Sequence, residues 1–316
     1  MDRALRLLAT GGAIQPPRTI VAGLPHRALL ASMPGYLSTP ETLGSKVLTV
    51  AAANRDAGRP SHQGVVLLFD PSHGEPLALV DATALTEIRT ACVSAVATRA
   101  LARAGAAELA VLGSGAQAGA HARAICEVRP IRRIRLWDRR PERSRELAQR
   151  LSGELAPAVE AVADAEVAVR SAEIVCTVTS SRTPIVRGEW LAPGVHLNAV
   201  GAVGPGMREL DTLAVRTSRV FVDRRESAWI EAEDLRAPLA EGAIGTEHVT
   251  GELGEVLRGS VPGRTSDLER TLFKSVGLAV EDLAAARYVY DRAVALGVGF
   301  RIDLGSGPES GSTPRS

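Results

Sequence analysis

The chain has 316 residues, of which 45% are hydrophobic and 23% are charged. This composition is ordinary for a folded globular protein and excludes a largely disordered chain. The 37 basic and 36 acidic residues leave a formal net charge of +1, and aromatic residues make up only 3%. Because both a basic surface and interleaved aromatic stacking platforms are missing, we expect no nucleic-acid partner.

Short strands and turns, followed by one helix, are predicted for the first part of the chain. Two β-branched runs, residues 47–50 and 65–69, are bounded by turn-forming residues, and residues 77–80 are the expected hairpin partner of the second run. Apolar residues at helical spacing predict a helix over about residues 86–104. No run of about 18 apolar residues occurs anywhere, so no membrane span is expected.

Strands alternate with helices from residue 106 onward. The predicted strands cover residues 109–112, 131–138, 174–179, 196–200 and 220–223, and helical patterns include residues 116–127 and 141–151. This alternation favours a parallel sheet with helices on both faces. Ser266 and Glu269 have the spacing of a capping box that opens a helix, and a long helical pattern follows over about residues 275–297. Residues 305–316, rich in Gly, Ser and Pro, are expected to be a disordered tail.

The three cysteines and six histidines lack the spacing of metal ligands or of a disulfide framework. We therefore expect no metal, and buried apolar roles for Cys92, Cys126 and Cys176. The start of the chain lacks the long apolar segment of a signal peptide. The expected location is the cytoplasm.

A glycine-rich turn follows the strand predicted over residues 109–112. Gly113, Gly115 and Ala118 have the Gly-x-Gly-x-x-Gly/Ala spacing of a dinucleotide-binding fingerprint, with a strand before it and a helix after it. The first glycine permits the tight turn, the second lets the backbone approach the pyrophosphate, and the phosphate then meets the helix N-terminus. We predict Gly113, Gly115 and Ala116 as cofactor-binding residues.

Asp138 ends the next predicted strand, where an acidic residue contacts the ribose hydroxyls of NAD. Arg139 and Arg140 follow directly, and an arginine at this place could accept the 2′-phosphate of NADP instead. Both arginines could equally be the solvated start of the next helix. NAD is therefore the predicted cofactor, with Asp138 and Arg139 at its adenosine end, and NADP is the alternative.

A set of short motifs runs in order through most of the chain. They are PPRT at residues 16–19, LGSKV at 43–47, QGVVLLFD at 63–70, TEIRT at 86–90, the glycine-rich turn, GEWLAPG at 188–194, NAVGA at 198–202, RELD at 208–211, GELGEV at 251–256 and FKSVG at 273–277. Together, over about residues 15–297, they resemble the ornithine cyclodeaminase/mu-crystallin family.

The resemblance implies an α/β fold in which a doubly wound Rossmann domain is inserted into an α/β dimerisation and substrate domain. The inserted domain would cover residues 106–280, and the other domain residues 1–105, completed by residues 281–304. It also implies a homodimer, a small amino or imino acid as substrate, and hydride transfer between the nicotinamide and the α-carbon of that substrate.

Three cations, Arg18, Lys46 and Arg89, match the family's carboxylate-binding positions, although each alone would be interpreted as a surface charge. Arginine is suited to a bidentate grip on a carboxylate. Lys46 precedes an apolar strand, where a charge is costly unless it is used. With its pKa lowered by burial and by the two arginines, Lys46 could pass a proton to or from the substrate nitrogen. Lys46 is therefore also the predicted catalytic residue.

The resemblance assigns six further residues to the cofactor: two near its phosphates, two beside its nicotinamide ribose and two at a turn next to its nicotinamide. In that order they are Thr90 and Gln117, Thr177 and Thr179, and Ser275 and Gly277. Threonine is common in strands, so a purely structural role for Thr177 and Thr179 stays open. Glu87 lies in the same motif as Thr90, and the favourable dipole at a helix N-terminus explains an acid there as well as a role in the site does.

Two departures from the family bear on function. Ornithine cyclodeaminases carry an aspartate where this chain has Val203, and valine can neither accept a proton nor hold an ammonium group. This favours a ketimine reductase or amino-acid dehydrogenase and leaves ornithine cyclodeaminase as the alternative. A weakly catalytic NAD(P)H-dependent binding protein is a second alternative, against which the three retained cations argue. The family also has a longer segment before the PPRT motif than residues 1–15, so we expect either a late start or a trimmed dimer domain.

Overall fold

Two β-sheets organise the protein, and the computed structural model describes residues 1–22, 28–51, 54 and 60–302. The first sheet is antiparallel, with strand order β1-β3-β4-β5-β6 and β2 also paired to β3. Its strands are Ala13–Ile14 (β1), Thr19–Ala22 (β2), Leu29–Ser38 (β3), Glu41–Val50 (β4), His62–Phe69 (β5) and Pro76–Asp81 (β6). The predicted hairpin between residues 65–69 and 77–80 is confirmed as β5 and β6.

The first sheet has one face in the core, as its alternating sequence requires. Leu37, Val66 and Leu68 are 1% exposed or less on this face. The C-terminal helix Ala279–Leu296 (α10) packs across β3, β4 and β5 there. Gly35 and Gly44 allow this close approach, because an added Cβ would meet the side chain of Leu283 at 3.1 and 2.8 Å respectively.

The second sheet has eight parallel strands in the order β13-β12-β14-β11-β10-β7-β8-β9. They are Glu108–Leu112 (β7), Arg133–Trp137 (β8), Ala158–Ala161 (β9), Ile174–Thr177 (β10), His196–Ala199 (β11), Arg219–Val222 (β12), Val249–Glu252 (β13) and Thr271–Lys274 (β14). The remaining helices are Asp2–Leu8 (α1), Ala82–Leu101 (α2), Ala116–Cys126 (α3), Pro141–Ser152 (α4), Ala165–Arg170 (α5), Thr212–Arg216 (α6), Arg225–Glu231 (α7), Glu233–Ala240 (α8) and Leu253–Arg258 (α9).

Helices cover both faces of the second sheet, as a parallel sheet with apolar strands requires. Residues of α2, α3 and α4 share one hydrophobic cluster with the sheet. Residues of α5, α6, α7 and α8 share the other. The predicted doubly wound α/β architecture is confirmed. In the described part of the chain, no helix is long and apolar enough to cross a membrane.

One further cluster joins the two sheets. Phe221 and Phe273 from the second sheet pack in the same core as Leu68 from the first, Val93 of α2 and Leu283 of α10. This shared core brings the amino end of α10 to the carboxyl ends of β12 and β14. The division into residues 1–105 with 281–304 and residues 106–280 stays a prediction. The expected tail at 305–316 lies outside the described residues.

The helix predicted to begin at Ser266 is wrong, because this segment is a turn that leads into β14. The carboxylate of Glu269 accepts hydrogen bonds from the amide and the hydroxyl of Thr265, at 2.9 and 3.0 Å. Glu269 therefore stabilises a turn with the preceding residues instead of capping a helix. The residues that follow are extended because they pair with β11 and β12. The long final helix begins at Ala279 rather than 275, after a turn in which Gly277 has φ +79°.

Candidate active site

Lys46 and Arg89 converge on one acidic side chain, Asp282. Lys46 lies on β4, Arg89 on α2 and Asp282 in the first turn of α10. Oδ1 of Asp282 accepts hydrogen bonds from Lys46 Nζ at 3.1 Å and from Arg89 Nε at 2.7 Å. Lys46 and Arg89 are 4% and 6% exposed, and Asp282 is completely buried. The structure thus brings together two of the three predicted substrate cations.

The ammonium group of Lys46 also donates to Thr86 Oγ1 at 2.7 Å. Its pKa is lowered to about 8, mainly by burial and further by the positive charges of Arg89 and Arg18, while Asp282 opposes the shift. A lysine with such a pKa can hold or release a proton near neutral pH, as general acid–base catalysis requires.

A second acid from α10, Glu281, completes the binding of Arg89. Its Oε2 accepts from Arg89 Nη1 at 2.7 Å and from the amide of Leu278 at 3.2 Å. Burial raises the pKa of Glu281 to about 7. Within the described residues, Nη2 is the end of Arg89 that has no hydrogen-bond partner, so it is the end that can receive a carboxylate.

Arg18 reaches the same site from the segment before β2. Its Nη2 donates to the carbonyl oxygens of Val276 and Gly277, both at 2.8 Å, and its Nε lies 3.0 Å from Glu231 Oε1. Its Nη1 has no hydrogen-bond partner among the described residues. Arg18, Glu231 and Gly277 line a small cavity, which is also lined by Gln15, Pro16, Met33, Ser227 and Ala279.

The turn at residues 275–277 is fixed by Asp223, directly after β12. Oδ2 of Asp223 accepts from the Ser275 hydroxyl at 3.2 Å and from the amides of Val276 and Gly277 at 2.7 and 2.8 Å. Burial raises the pKa of this carboxyl group. The turn that contains the predicted residues Ser275 and Gly277 therefore contacts the arginines, and Gly277 approaches Arg89 so closely that a Cβ would lie 3.1 Å from Nη2.

The glycine-rich turn has the geometry of a dinucleotide site. Gly113 has φ +111°, and an added Cβ would come within 2.9 Å of the Val178 carbonyl oxygen, whereas the space around Gly115 is open. Gly115 is the N-cap of α3, whose first residue is the predicted Ala116. The buried Ser114 Oγ and Gln117 Oε1 have no partner in the described part of the chain. Unpaired buried polar atoms beside an open helix N-terminus fit a bound NAD.

Asp138 fastens this turn to the end of β8. Its Oδ2 accepts from the amide of Ser114 at 2.9 Å, and its Oδ1 accepts from the amide of Arg140 at 2.9 Å. The side chains of Arg139 and Arg140 are exposed. Asp138 thus lies where the fingerprint places a ribose ligand, with two exposed cations beside it.

Thr86 links the cofactor turn to the substrate cations. Its hydroxyl accepts from Lys46, and its carbonyl oxygen accepts from Gln117 Nε2 at 3.4 Å. Thr90, one turn further along α2, is 7% exposed. The predicted phosphate-side residues, Thr90 and Gln117, therefore lie on the helices that meet between the two halves of the site.

Thr177 and Thr179 share one buried acceptor, Glu209. Thr177 Oγ1 donates to its Oε2 at 2.9 Å, and the Thr179 amide and hydroxyl donate to its Oε1 at 2.6 and 2.7 Å. The amides of Gly201 and Ala202 also donate to Oε2, at 2.9 and 3.1 Å. Burial raises the pKa of Glu209. Glu209 therefore holds together the ends of β10 and β11, where the nicotinamide is predicted to lie.

The similarities of the chain to known proteins agree with this geometry. The family model described as ornithine cyclodeaminase/mu-crystallin matches residues 1–297. The ketimine reductase mu-crystallin of Mus musculus is 41% identical over 281 residues, which are 89% of this chain and 86% of that protein. The chain belongs to the ornithine cyclodeaminase/mu-crystallin family. As a member of it, the chain has the fold of the family's solved structures.

Two solved structures show how close the likeness is. The Δ1-pyrroline-2-carboxylate reductase of Thermococcus litoralis, in complex with NADH and L-proline, has a TM-score of 0.93 and 38% identity, covering 95% of this chain and 93% of that one. An archaeal alanine dehydrogenase dimer with bound NAD has a TM-score of 0.91 and 33% identity, covering 96% and 92%. The expectations of an oxidoreductase and of NAD as cofactor are confirmed by these comparisons.

Sequence reasoning missed the acidic half of this family member's site. The missed residues are Glu209, Asp223, Glu231, Glu281 and Asp282. Asp223 directly follows an apolar strand, and the argument that singled out Lys46, a charge beside an apolar strand, could have found it. Glu281 and Asp282 carry no such signal, because acids in the first turn of a helix are ordinary. Val203, in place of the cyclodeaminase aspartate, packs half-buried against the core.

Proposed function

We propose that this protein is an NAD-dependent reductase of cyclic α-imino acids, which converts a ring carbon–nitrogen double bond beside a carboxylate into the amine. Δ1-Pyrroline-2-carboxylate, with L-proline as its product, represents this substrate class. The observation that carries the proposal is the convergence of buried Lys46 and Arg89 on Asp282. The likeness to ketimine and Δ1-pyrroline-2-carboxylate reductases supports it.

The chemistry follows from the free ends of the three cations. The substrate carboxylate binds Arg89 Nη2 and Arg18 Nη1, since charge-assisted hydrogen bonds to a carboxylate are strong. When bound, NADH supplies the hydride that the α-carbon accepts. Lys46 Nζ donates the proton that the substrate nitrogen takes up, so one hydride and one proton together reduce the double bond. Fixing the carboxylate in this way orients the α-carbon, which is how positioning contributes to the rate.

Hydride transfer to an open-chain imine formed from a 2-oxo acid and ammonia is the second candidate. The likeness to the archaeal alanine dehydrogenase favours it, at 33% identity. The two candidate reactions use the same cations. They differ in the substrate, which is a ring imine in the first and an open-chain imine in the second. Ornithine cyclisation is disfavoured, because Val203 provides no acid.

The outer face of the first sheet supports a homodimer. Leu30, Leu43 and Leu79 are 43%, 38% and 62% exposed, and the strand register puts them on one face of the sheet. Apolar side chains exposed along one face of a sheet fit a subunit interface. An apolar two-fold contact through β3, β4 and β6 is therefore part of the proposal, as is a reducing, cytoplasmic location in keeping with the free thiols of Cys92, Cys126 and Cys176.

The test is a substrate panel followed by the absorbance of NADH and, separately, of NADPH. It includes Δ1-pyrroline-2-carboxylate, its six-membered homologue, pyruvate with ammonia, and L-ornithine with NAD. The proposal expects the highest kcat/KM with the two cyclic imines. Faster turnover of pyruvate with ammonia would establish the dehydrogenase instead, and proline formed from ornithine would establish a cyclodeaminase.

The substrate contacts are tested separately with Arg89→Met and an exposed control, Arg170→Met, which removes an arginine paired with Glu166 on the surface. Arg89→Met is expected to lower kcat/KM about a hundredfold or more, as the loss of a buried charged contact to the substrate does, with the Kd of NADH unchanged. Equal kcat/KM in the two variants would contradict the binding of the substrate carboxylate by Arg89.

A further inference from the structure

One oxygen of Asp282 contacts both Lys46 and Arg89, so this residue can fix their positions as well as neutralise their charge. We propose that Asp282 is a positioning residue that acts through Lys46: one of its carboxylate oxygens holds the Lys46 ammonium and the Arg89 guanidinium together, so that the proton donor and the carboxylate binder have a fixed separation. This inference rests on the proposed function and adds to it a residue that need not touch the substrate.

Two of the hydrogen-bond donors of Lys46 are occupied by the protein. An ammonium group has three N–H donors. Thr86 Oγ1 accepts one at 2.7 Å and Asp282 Oδ1 accepts another at 3.1 Å. One donor then remains, and its direction is set by the other two. A flexible lysine stem would otherwise leave that direction undefined, so Asp282 and Thr86 together aim the proton that the substrate nitrogen receives.

Arg89 is anchored to α10 through two of its nitrogens. Its Nε donates to the same oxygen of Asp282 at 2.7 Å, and its Nη1 donates to Glu281 at 2.7 Å. With two of its nitrogens anchored to α10, the guanidinium plane is fixed and Nη2 is its remaining end. Lys46, on β4, and Arg89, on α2, thus take their relative position from a single atom on α10.

The carboxylate of Asp282 is shielded from solvent. Asp282 is completely buried, and its Oδ2 has no hydrogen-bond partner within the described residues. Its described hydrogen-bond donors, Lys46 and Arg89, both share the other oxygen, Oδ1. Burial of a carboxylate is costly without such partners, so the two cations stabilise an acid at this place.

The charges around Lys46 decide what removal of Asp282 does. Arg89 of α2 and Arg18 face it with positive charge, Asp282 of α10 faces it with negative charge, and Glu281 of α10 reaches it only through Arg89. Thr86 is its neutral neighbour. Without Asp282, burial and the two arginines all favour the neutral amine, and the pKa of Lys46 falls below its value of about 8.

The experiment compares Asp282→Asn with Asp291→Asn, which removes an exposed acid paired with Arg287 on the same helix. For each, kcat/KM for Δ1-pyrroline-2-carboxylate is measured against pH with NADH saturating. In the wild type, reduction falls as Lys46 loses its proton near pH 8. In Asp282→Asn, kcat/KM is expected to fall about tenfold to a hundredfold, and the descending limb to move about one to three pH units lower. Asp291→Asn is expected to match the wild type.

A double-mutant cycle with Lys46→Met separates this role from a merely structural one. If Asp282 acts through Lys46, then Asp282→Asn lowers kcat/KM by a larger factor in the wild type than in Lys46→Met, where only the contact of Asp282 with Arg89 remains to be lost. The double variant carries neither charge of the Lys46–Asp282 pair. If Asp282→Asn alone fails to fold, kcat/KM of the double variant is compared with that of Lys46→Met.

The outcomes are distinct. An unmoved descending limb in Asp282→Asn, or an equal loss in both backgrounds of the cycle, would overturn the role of Asp282. If the wild type fails to reduce any cyclic imine, the proposed function itself is wrong. In that case the wild-type assay shows it before any variant is compared.

Discussion

The α-carbon of Gly277 lies against the guanidinium of Arg89: a Cβ added to Gly277 would come within 3.1 Å of Nη2 and 3.2 Å of Nη1. The carbonyl oxygen of the same glycine accepts a hydrogen bond from Arg18. One residue at the carboxyl end of β14 therefore sets the distance between the two arginines, and its φ of +79° is one that L side chains rarely adopt.

Gly277→Ala is expected to displace Arg89 and to lower kcat/KM for the imino acid at least about tenfold, because small misplacements of binding groups are costly in rate. The matched control is Gly242→Ala, since Gly242 also has positive φ (+67°) but open space around it. Both variants lose about 1–2 kcal/mol of stability from the backbone alone, measured by urea unfolding. A loss of activity of similar size in Gly242→Ala would contradict a specific contact between Gly277 and Arg89.

Lys46→Met is expected to abolish most turnover and yet to stabilise the protein. The pKa of Lys46 falls from 10.5 to about 8 on folding, so the charged form is disfavoured in the folded state. The cost is fully present below pH 8 and disappears as pH rises through 10.5. Because Arg89 still pairs with Asp282, chemical unfolding at pH 7 should show a gain of about 1–3 kcal/mol over the wild type. That gain should shrink above pH 8. Constant or lower stability of Lys46→Met across this range would show that the charge of Lys46 is not strained by burial.

Glu209→Gln is expected to destabilise the protein by about 3–5 kcal/mol, as the loss of a buried, fully bonded charge does. The carboxylate of Glu209 now accepts hydrogen bonds from hydroxyls and amides of Thr177, Thr179, Gly201 and Ala202. In the glutamine variant, the NH2 group would face some of these donors and could not accept from them. Unfolding in urea and the Kd of NADH are the measurements, and both should worsen. Glu241→Gln, on an exposed acid beside Arg208, is the control and should change stability by less than about 1 kcal/mol.

Asp138→Ala is expected to weaken NADH binding about tenfold, because it removes the predicted acidic ligand for the ribose and loosens the amide of Ser114. NADPH binding should weaken less, since Arg139 and Arg140 stay exposed beside the site. Fluorescence titration of both cofactors against the wild type and Arg139→Ala gives the comparison. If Asp138→Ala retains the wild-type ratio of the two Kd values, Asp138 does not select the cofactor.

Local patterns predicted the nucleotide half of the fold well. The strand before Gly113, the helix after Gly115 and the position of Asp138 at the end of β8 all depend on contacts between neighbours in sequence, which spacing records. The burial of Lys46 was also predictable, because a charge in an apolar strand must find a partner.

The partner of Lys46 was not predictable from any local pattern. Asp282 lies 236 residues further along the chain, and only the packing of α10 across the first sheet brings it there. Ser266 and Glu269 show the converse failure: a correct helix-start spacing was overridden, because the residues after it pair as a central strand between β11 and β12. In both cases, contacts between residues distant in the sequence decided the structure.

In the proposed reaction, hydride reaches the carbon next to a carboxylate held by Arg18 and Arg89 while Lys46 protonates the nitrogen. The most direct test uses NADH deuterated at the transferred position with Δ1-pyrroline-2-carboxylate, followed by NMR and mass spectrometry of the product. L-Proline with one deuterium, at the α-carbon, is expected, and Lys46→Met should form it at least about a hundredfold more slowly at pH 7. Proline without deuterium, or labelled proline formed equally fast by Lys46→Met, would contradict the proposed reaction.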